Sequence, residues 1–207
     1  MKKIAIVDYG SGNLFSVAQA IKKIGALPVL ANSEKHINDC DAIILPGVGA
    51  FKNAIQSLEE TGLIPVIIDS VKNGKPILGI CLGMQLLFET SNELGLHEGL
   101  KLLNGNVVKF SNLDDRAAIP QIQWNRVKVD IKDTLLFQGL QPNPFMYFLH
   151  SYYVKPSPEY KNILRASYGG LNYCCVIEYG NIYGVQFHPE RSSTEGLMLL
   201  KNFVELT

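Results

Sequence analysis

Cys81 stands in the run Gly79-Ile80-Cys81-Leu82-Gly83, with apolar Pro76-Ile77-Leu78 before it and Met84-Gln85 after it. An apolar strand that runs into G-x-C-x-G and then into a helix is the cysteine form of a nucleophile elbow. The flanking glycines matter because the turn is tight: a side chain at either would collide with the neighbouring strand or helix. At a helix N-terminus the dipole and unpaired amides lower a thiol pKa from about 8.5. The Leu82 amide would point to where a tetrahedral oxyanion forms. A buried cysteine packed beside a glycine turn is the bland alternative. The strand before and the helix after favour chemistry.

A thiolate needs a histidine to activate it and to protonate a leaving group. The chain has four. His36 and His97 lie in polar, loop-like contexts and read as solvated. His150 ends the apolar run Met146–Leu149 and reads as a satisfied interior histidine. His188 ends the strand-like Ile182–Phe187 and is followed by Pro189-Glu190. Residues two apart in extended chain face the same side, so Glu190 can reach the His188 imidazole and fix its tautomer. Nucleophile, base and orienter form the three-part logic of a catalytic triad.

These groups must be positioned by a scaffold, and the first half of the chain alternates strand and helix signals. Strands are expected at Lys3–Asp8, Leu27–Ala31, Asp41–Leu45 and Pro76–Ile80. Helices are expected at Asn13–Ile24, Ala50–Glu60, Ile64–Asn73 and Leu82–Glu89. In the first of these helices Leu14, Val17, Ala18, Ile21 and Ile24 have helical spacing, and Gly25 fits its stop. Apolar strands alternating with helices imply a parallel sheet covered on both faces. The second half holds short strand-like runs at Val107–Phe110, Arg126–Ile131, Phe145–Tyr152, Asn162–Ala166, Tyr173–Glu178 and Ile182–Phe187. They are expected to extend the same sheet in antiparallel fashion, and Thr194–Leu206 closes the chain as an amphipathic helix. The fold class is α/β, with a central, mostly parallel sheet, an antiparallel extension and one domain over residues 1–207.

Composition narrows the function. With 207 residues, 47% of them apolar, the chain can bury a core without a disulfide or metal staple. Formal net charge is zero and no Lys/Arg block exists, so nothing points to nucleic acid or an anionic membrane. Asp8 interrupts the opening apolar run after four residues, too soon for a secretory segment. No run approaches the roughly 18 apolar residues of a membrane span. Adjacent Cys174 and Cys175 on a strand would point to opposite faces, which suits neither a shared metal nor a mutual disulfide. The expected compartment is reducing and cytoplasmic, and no metal or cofactor is expected.

Five ordered segments carry a resemblance. They are Asp8-Tyr9-Gly10-Ser11-Gly12-Asn13-Leu14, Pro46-Gly47-Val48-Gly49-Ala50-Phe51, Gly79–Gln85, Tyr147-Phe148-Leu149-His150-Ser151-Tyr152-Tyr153 and Gly184-Val185-Gln186-Phe187-His188-Pro189-Glu190. Over nearly its whole length the chain resembles the class I (triad) glutamine amidotransferases. Within them it looks like the glutaminase subunits of imidazole glycerol phosphate synthase. The resemblance implies a flavodoxin-like three-layer fold and glutamine as substrate. Cys81 would form a glutamyl thioester, His188 would shuttle protons and Glu190 would hold it. Val48, Gly49 and Leu82 would form the oxyanion hole, with a peptide near Val48-Gly49 that turns inward. Gly47, Gln85 and the backbone of Ser151 and Tyr152 would bind glutamine. Asn13, Gln123, Trp124, Asn125, Tyr147 and Arg191 would lie at or near a mouth facing a (βα)8-barrel cyclase, to which ammonia passes through a closed channel. The bland reading of Gln85 is a helix surface residue, and of Trp124 a core residue.

Three segments depart from the usual pattern. Pro120-Gln121-Ile122-Gln123-Trp124-Asn125 carries Gln123 where the family has glycine, Gly99-Leu100-Lys101-Leu102 replaces G-L-G-L, and Arg191 replaces a lysine, keeping charge but not shape. The stretch Tyr168–Cys174 looks more like paralogues that supply ammonia for amidation of a surface-polysaccharide sugar, which is the alternative function. A cysteine peptidase or esterase could use the same elbow without the P-G-V-G loop, Gln85 or H-P-E. A non-catalytic regulatory subunit would not need Cys81, His188 and Glu190.

Overall fold

The computed structural model describes residues 1–115, 117–129 and 134–207. Its parallel half follows the sequence pattern. Strands β1 (Lys3–Val7), β2 (Leu27–Ala31), β3 (Ala42–Leu45) and β4 (Ile77–Ile80) alternate with helices α1 (Leu14–Lys23), α2 (Glu34–Asn38), α3 (Phe51–Glu60) and α4 (Ile64–Lys72). β2, β1, β3 and β4 lie side by side and all pair in parallel.

Strand periodicity builds the two cores. Ile4 and Ile6 of β1, Ala42 and Ile44 of β3, and Leu78 and Ile80 of β4 join one apolar cluster. Ala5 and Val7, Ile43 and Leu45, and Ile77 join the other. The first cluster is covered by α1 through Val17, Ala20 and Ile21, and by α6 (Ser193–Glu205) through Leu199, Leu200 and Phe203. The second is covered by α2, α3 and α4 through Ile37, Phe51, Ile55, Leu58, Ile67 and Val71. A period of two in the strands thus places a helical layer on each face. Cys174 and Cys175 fall into opposite clusters, as adjacent strand residues must, and all four cysteines are buried.

The sheet continues beyond β4 through β13 (Ile182–Val185), which pairs in parallel with β4 and antiparallel with β12 (Leu171–Tyr179). β11 (Ile163–Tyr168) and β10 (Tyr152–Pro156) each pair with β12, and β10 pairs with β7 (Leu103–Lys109). β7 in turn pairs in parallel with β5 (Phe88–Ser91), and β6 (His97–Glu98) forms the edge.

Several expectations need correction. The helix after Cys81, α5 (Leu82–Leu86), does not reach Glu89. Phe88–Ser91 is strand β5, because Phe88 finds a partner in Leu103, a pairing outside any local pattern. The run Phe145–Tyr152 is two strands broken at Ser151. β9 (Phe145–His150) pairs with β8 (Gln121–Arg126) in a separate two-stranded sheet, while β10 belongs to the main one. The second half is therefore not wholly an extension of one sheet, and its β5–β7 pair is parallel. The strand expected at Arg126–Ile131 is Gln121–Arg126. Beyond it Lys128 makes an isolated bridge to Arg165, and residues 130 and 131 lie outside the described residues. His36 sits on helix α2 and His97 on strand β6, neither in a loop.

Candidate active site

The C-terminal ends of β3, β4 and β13 converge, the place where open α/β sheets bind ligands. Cys81 follows β4 and caps α5 with φ 54° and ψ −110°. Such a backbone costs about 1–3 kcal/mol and persists only where packing over-determines it. The packing is visible at the flanking glycines. A Cβ on Gly83 would lie 1.8 Å from the Leu45 carbonyl oxygen. A Cβ on Gly79 would lie 2.7 Å from backbone atoms of Gly83 and Met84. The bend therefore fits only glycine on either side of the cysteine.

His188 lies three residues past the end of β13 and is buried. Its backbone N–H donates to the Tyr147 carbonyl at 2.9 Å, and its own carbonyl accepts from the Ser192 hydroxyl at 2.6 Å. Nδ1 is 2.9 Å from Glu190 Oε1. The Glu190 side chain is only 1% exposed and its Oε2 has no hydrogen-bond partner. Burial alone would push the imidazole pKa down. The charge and hydrogen bond of Cys81, then those of Glu190, outweigh burial and push it up. Both attractions favour the charged imidazolium over the neutral ring. Nε2 has no well-directed partner, so the thiol–imidazole contact is close in electrostatic terms but not aligned.

Cys81 and His188 share a cleft of about 210 Å³ with Val48, Gly49, Leu82, Gln85, Glu93, Leu149, His150, Ser151 and Tyr152 among its walls. Gln85 is buried, not on a helix surface. Its Nε2 donates to the Tyr152 carbonyl and to Gln186 Oε1, each at 3.0 Å. With its amide hydrogens engaged, Gln85 offers the cleft an oxygen acceptor. The Ser151 carbonyl accepts from the Phe110 N–H.

Gly47 does not line the cleft. A Cβ there would meet Gly83 N at 2.8 Å, the Tyr9 hydroxyl at 2.8 Å and Leu82 Cβ at 2.9 Å, so Gly47 lets its loop press against the elbow. Gly49 has φ +92° with open space around its Cβ position. The Ser11 hydroxyl donates to the Val48 carbonyl at 2.8 Å, which holds the Val48–Gly49 peptide in its present orientation.

The residues expected at the mouth separate into two groups. Trp124 is 49% exposed and packs edge-on to Tyr147 at 6.1 Å; it is not a core residue. Gln123 and Arg191 are exposed and Tyr147 is half-buried. Asn13 and Asn125 are engaged within the chain. Asn13 caps α1, accepting from the Ser16 N–H at 3.2 Å. Asn125 donates to the Ser167 carbonyl at 2.9 Å.

Two residues at the site escaped the sequence reading. Glu93 lines the cleft and accepts from the Phe51 N–H at 2.7 Å. Gln186 is fully buried, with Nε2 3.7 Å from Cys81 Sγ. Glu93 has no local signal, since it stands in a connection between strands. Gln186 had one: an amide inside the apolar run before His188.

The comparisons accord with this arrangement. Residues 5–206 match the family model "Glutamine amidotransferase class-I". The chain is 45% identical over 204 residues to "Imidazole glycerol phosphate synthase subunit HisH" of Sulfurimonas denitrificans, covering 98% of this chain and 97% of that one. It is 43% identical over 208 residues to the protein of the same name from Methanosarcina acetivorans, covering all of both. Among solved structures, a chain of PurLQS from Thermotoga maritima superposes with TM-score 0.79 at 19% identity, covering 100% of this chain and 99% of that one. A crystal structure of a glutamine amidotransferase superposes with TM-score 0.76 at 20% identity, covering 98% and 97%. At those identities the superpositions speak for the fold, and the fold is the three-layer α/β arrangement with a mostly parallel sheet. The full-length match to the family model and the relatives above 40% identity together show that this chain belongs to the class-I glutamine amidotransferases.

Proposed function

We propose that the chain is the glutaminase subunit of an imidazole glycerol phosphate synthase, with Cys81 as nucleophile, His188 as proton shuttle and Glu190 as its orienter. The observation that carries this reading is the strained Cys81 at the β4–α5 bend, in one cleft with an imidazole whose Nδ1 is held by a buried carboxylate.

His188 Nε2 takes the Cys81 proton, and the thiolate attacks the side-chain amide carbon of glutamine. The oxyanion is met by the Leu82 N–H and by a peptide of the Val48–Gly49 segment. Collapse breaks the C–N bond, and the proton held on His188 goes to the departing ammonia. Water, deprotonated by His188, then cleaves the glutamyl thioester and releases glutamate. The Glu93 carboxylate and the Gln85 oxygen suit the substrate's α-ammonium group.

Ammonia must reach its acceptor before water protonates it, which calls for a partner seated over the cleft. The two-stranded β8–β9 sheet supplies a face for one. Ile122 pairs with Leu149, Trp124 with Tyr147 and Arg126 with Phe145. Ile122, Trp124, Phe145 and Leu149 are 58%, 49%, 47% and 37% exposed. Leu149 also walls the cleft, so this apolar face begins at the site. We read the partner as a (βα)8-barrel cyclase that forms a heterodimer with this chain. It would use the ammonia on its own acceptor in making imidazole glycerol phosphate and aminoimidazole carboxamide ribotide in histidine biosynthesis. The relatives named above favour this acceptor over sugar amidation. We read the 207 residues as one domain and the compartment as the cytoplasm; no helix among the described residues is long and apolar enough to cross a membrane.

Glutamate and ammonia release from glutamine, with and without the barrel cyclase, tests the proposal. Turnover that rises with the cyclase and vanishes in Cys81→Ala is expected. A peptidase would leave glutamine untouched, and a regulatory subunit would be indifferent to Cys81→Ala.

A further inference from the structure

We propose that Gln121, Tyr173 and His150 form a neutral hydrogen-bond relay that positions the Tyr152 carbonyl and, through Gln85 and Gln186, the sulfur of Cys81. The proposal rests on the reading of Cys81 as nucleophile.

His150 is buried among Phe110, Phe148 and Tyr173, with ring centroids 5.1, 5.8 and 5.4 Å away. Burial lowers its pKa to about 4, so the ring is neutral near pH 7. Nδ1 lies 2.8 Å from the Tyr152 carbonyl oxygen. A carbonyl only accepts, so Nδ1 carries the proton and Nε2 is a bare lone pair. The group facing Nε2 is the Tyr173 hydroxyl, at 3.3 Å.

That hydroxyl has one proton and two acceptors, because Gln121 Oε1 lies 3.0 Å from it on the other side. Gln121 is fully buried, and its Nε2 has no acceptor. A half-turn of the Gln121 amide improves both. Nε2 then donates to the Tyr173 oxygen, and the hydroxyl proton goes to His150 Nε2. The same heavy atoms make one more hydrogen bond, and the group left unpaired is a carbonyl oxygen, which tolerates burial better than an amine.

A second arm meets the first at the Tyr152 carbonyl. Gln85 Nε2 donates there and to Gln186 Oε1, each at 3.0 Å. The Gln186 amide is thereby turned so that its Nε2 faces Cys81 Sγ at 3.7 Å. His150 saturates the carbonyl that anchors Gln85, and Gln85 fixes the amide that meets the sulfur. His150, Tyr173 and Gln121 act through other residues, so they are positioning residues. Every member of the relay is uncharged, which lets it be fully buried at little cost.

Long-range proton–nitrogen NMR of the full chain with nitrogen-labelled histidines reads the relay directly, with the His150 signals assigned by their loss in His150→Gln. The expected result is a neutral His150 protonated at Nδ1 that does not titrate from about pH 5.5 to 8.5, the span in which ordinary histidines do. Protonation at Nε2, or titration in that span, overturns the proposal. Kinetics give a second reading. Tyr173→Phe and Gln121→Leu should each lower kcat/KM for glutamine by about three- to tenfold, the effect of one hydrogen bond. The double variant should be no worse than the poorer single one, whereas multiplying losses mean independent structural roles and overturn the relay. The NMR result requires no turnover. A wild-type chain that fails to hydrolyse glutamine with the cyclase present therefore refutes the glutaminase reading separately.

Discussion

Glu190 Oε1 holds His188 Nδ1 at 2.9 Å while Glu190 Oε2 is buried without a partner. A carboxylate in that state is costly to bury, so its service is to the imidazole and not to stability. Glu190→Gln is expected to reduce glutamine turnover by at least about 10²-fold, because an amide can impose the wrong tautomer on His188. Its unfolding free energy should stay within about 1 kcal/mol of the parent, as read by urea titration. A collapse of stability with activity retained would reverse these roles.

Gly83, in helix α5, and Gly49, in the loop beside the cleft, should respond differently. Gly83→Ala drives a methyl to 1.8 Å from the Leu45 carbonyl oxygen, a rigid backbone atom. A loss of about 3 kcal/mol or more is expected. Gly49→Ala meets nothing within 4 Å but keeps φ +92°, which costs about 1–2 kcal/mol. It should fold and yet hydrolyse glutamine poorly, since its loop is stiffened. Thermal melts beside glutaminase rates separate the two cases.

Ser11 restrains the Val48 carbonyl through one hydrogen bond. If that peptide turns to complete the oxyanion hole, Ser11→Ala should raise turnover in the absence of a partner by about fivefold, the worth of one hydrogen bond. Unchanged or reduced resting turnover would mean that the peptide already stands in its working orientation.

His150 sets an acid limit on the fold. Its pKa in the folded chain is about 4, below the ordinary 6.5. A depressed histidine favours the folded state fully above the unfolded value. That contribution shrinks as pH falls from about 6.5 and is gone below about 4, a change of about 3 kcal/mol. His150→Asn, which has no proton to gain, should flatten this part of the stability profile in urea titrations run at successive pH values. An unchanged profile would assign the acid sensitivity elsewhere.

How far the sequence revealed this site depends on how local each signal was. The elbow was legible because Gly79, Cys81 and Gly83 lie within five residues, although the clash that requires Gly83 comes from Leu45 at the end of β3. His188 and Glu190 were legible for the same reason. The β1–β4 layer was legible because alternating burial repeats within each strand. The helix expected over Leu82–Glu89 ran two residues into strand β5 because the strand character of Phe88–Ser91 comes from Leu103 and Val107, partners far along the chain. The division of Phe145–Tyr152 at Ser151 was hidden because each half finds its partner in a different sheet. Glu93 reaches the cleft from a connection that no periodicity marks.

The central claim is that glutamine is opened by Cys81 through a covalent glutamyl thioester. Rapid acid quench of the chain with its cyclase partner during turnover, followed by peptide mass spectrometry, tests it most directly. The account expects one glutamyl group on the peptide that contains Cys81, and neither adduct nor turnover in Cys81→Ala. Ammonia release that persists in Cys81→Ala, or an adduct on another residue, would contradict it.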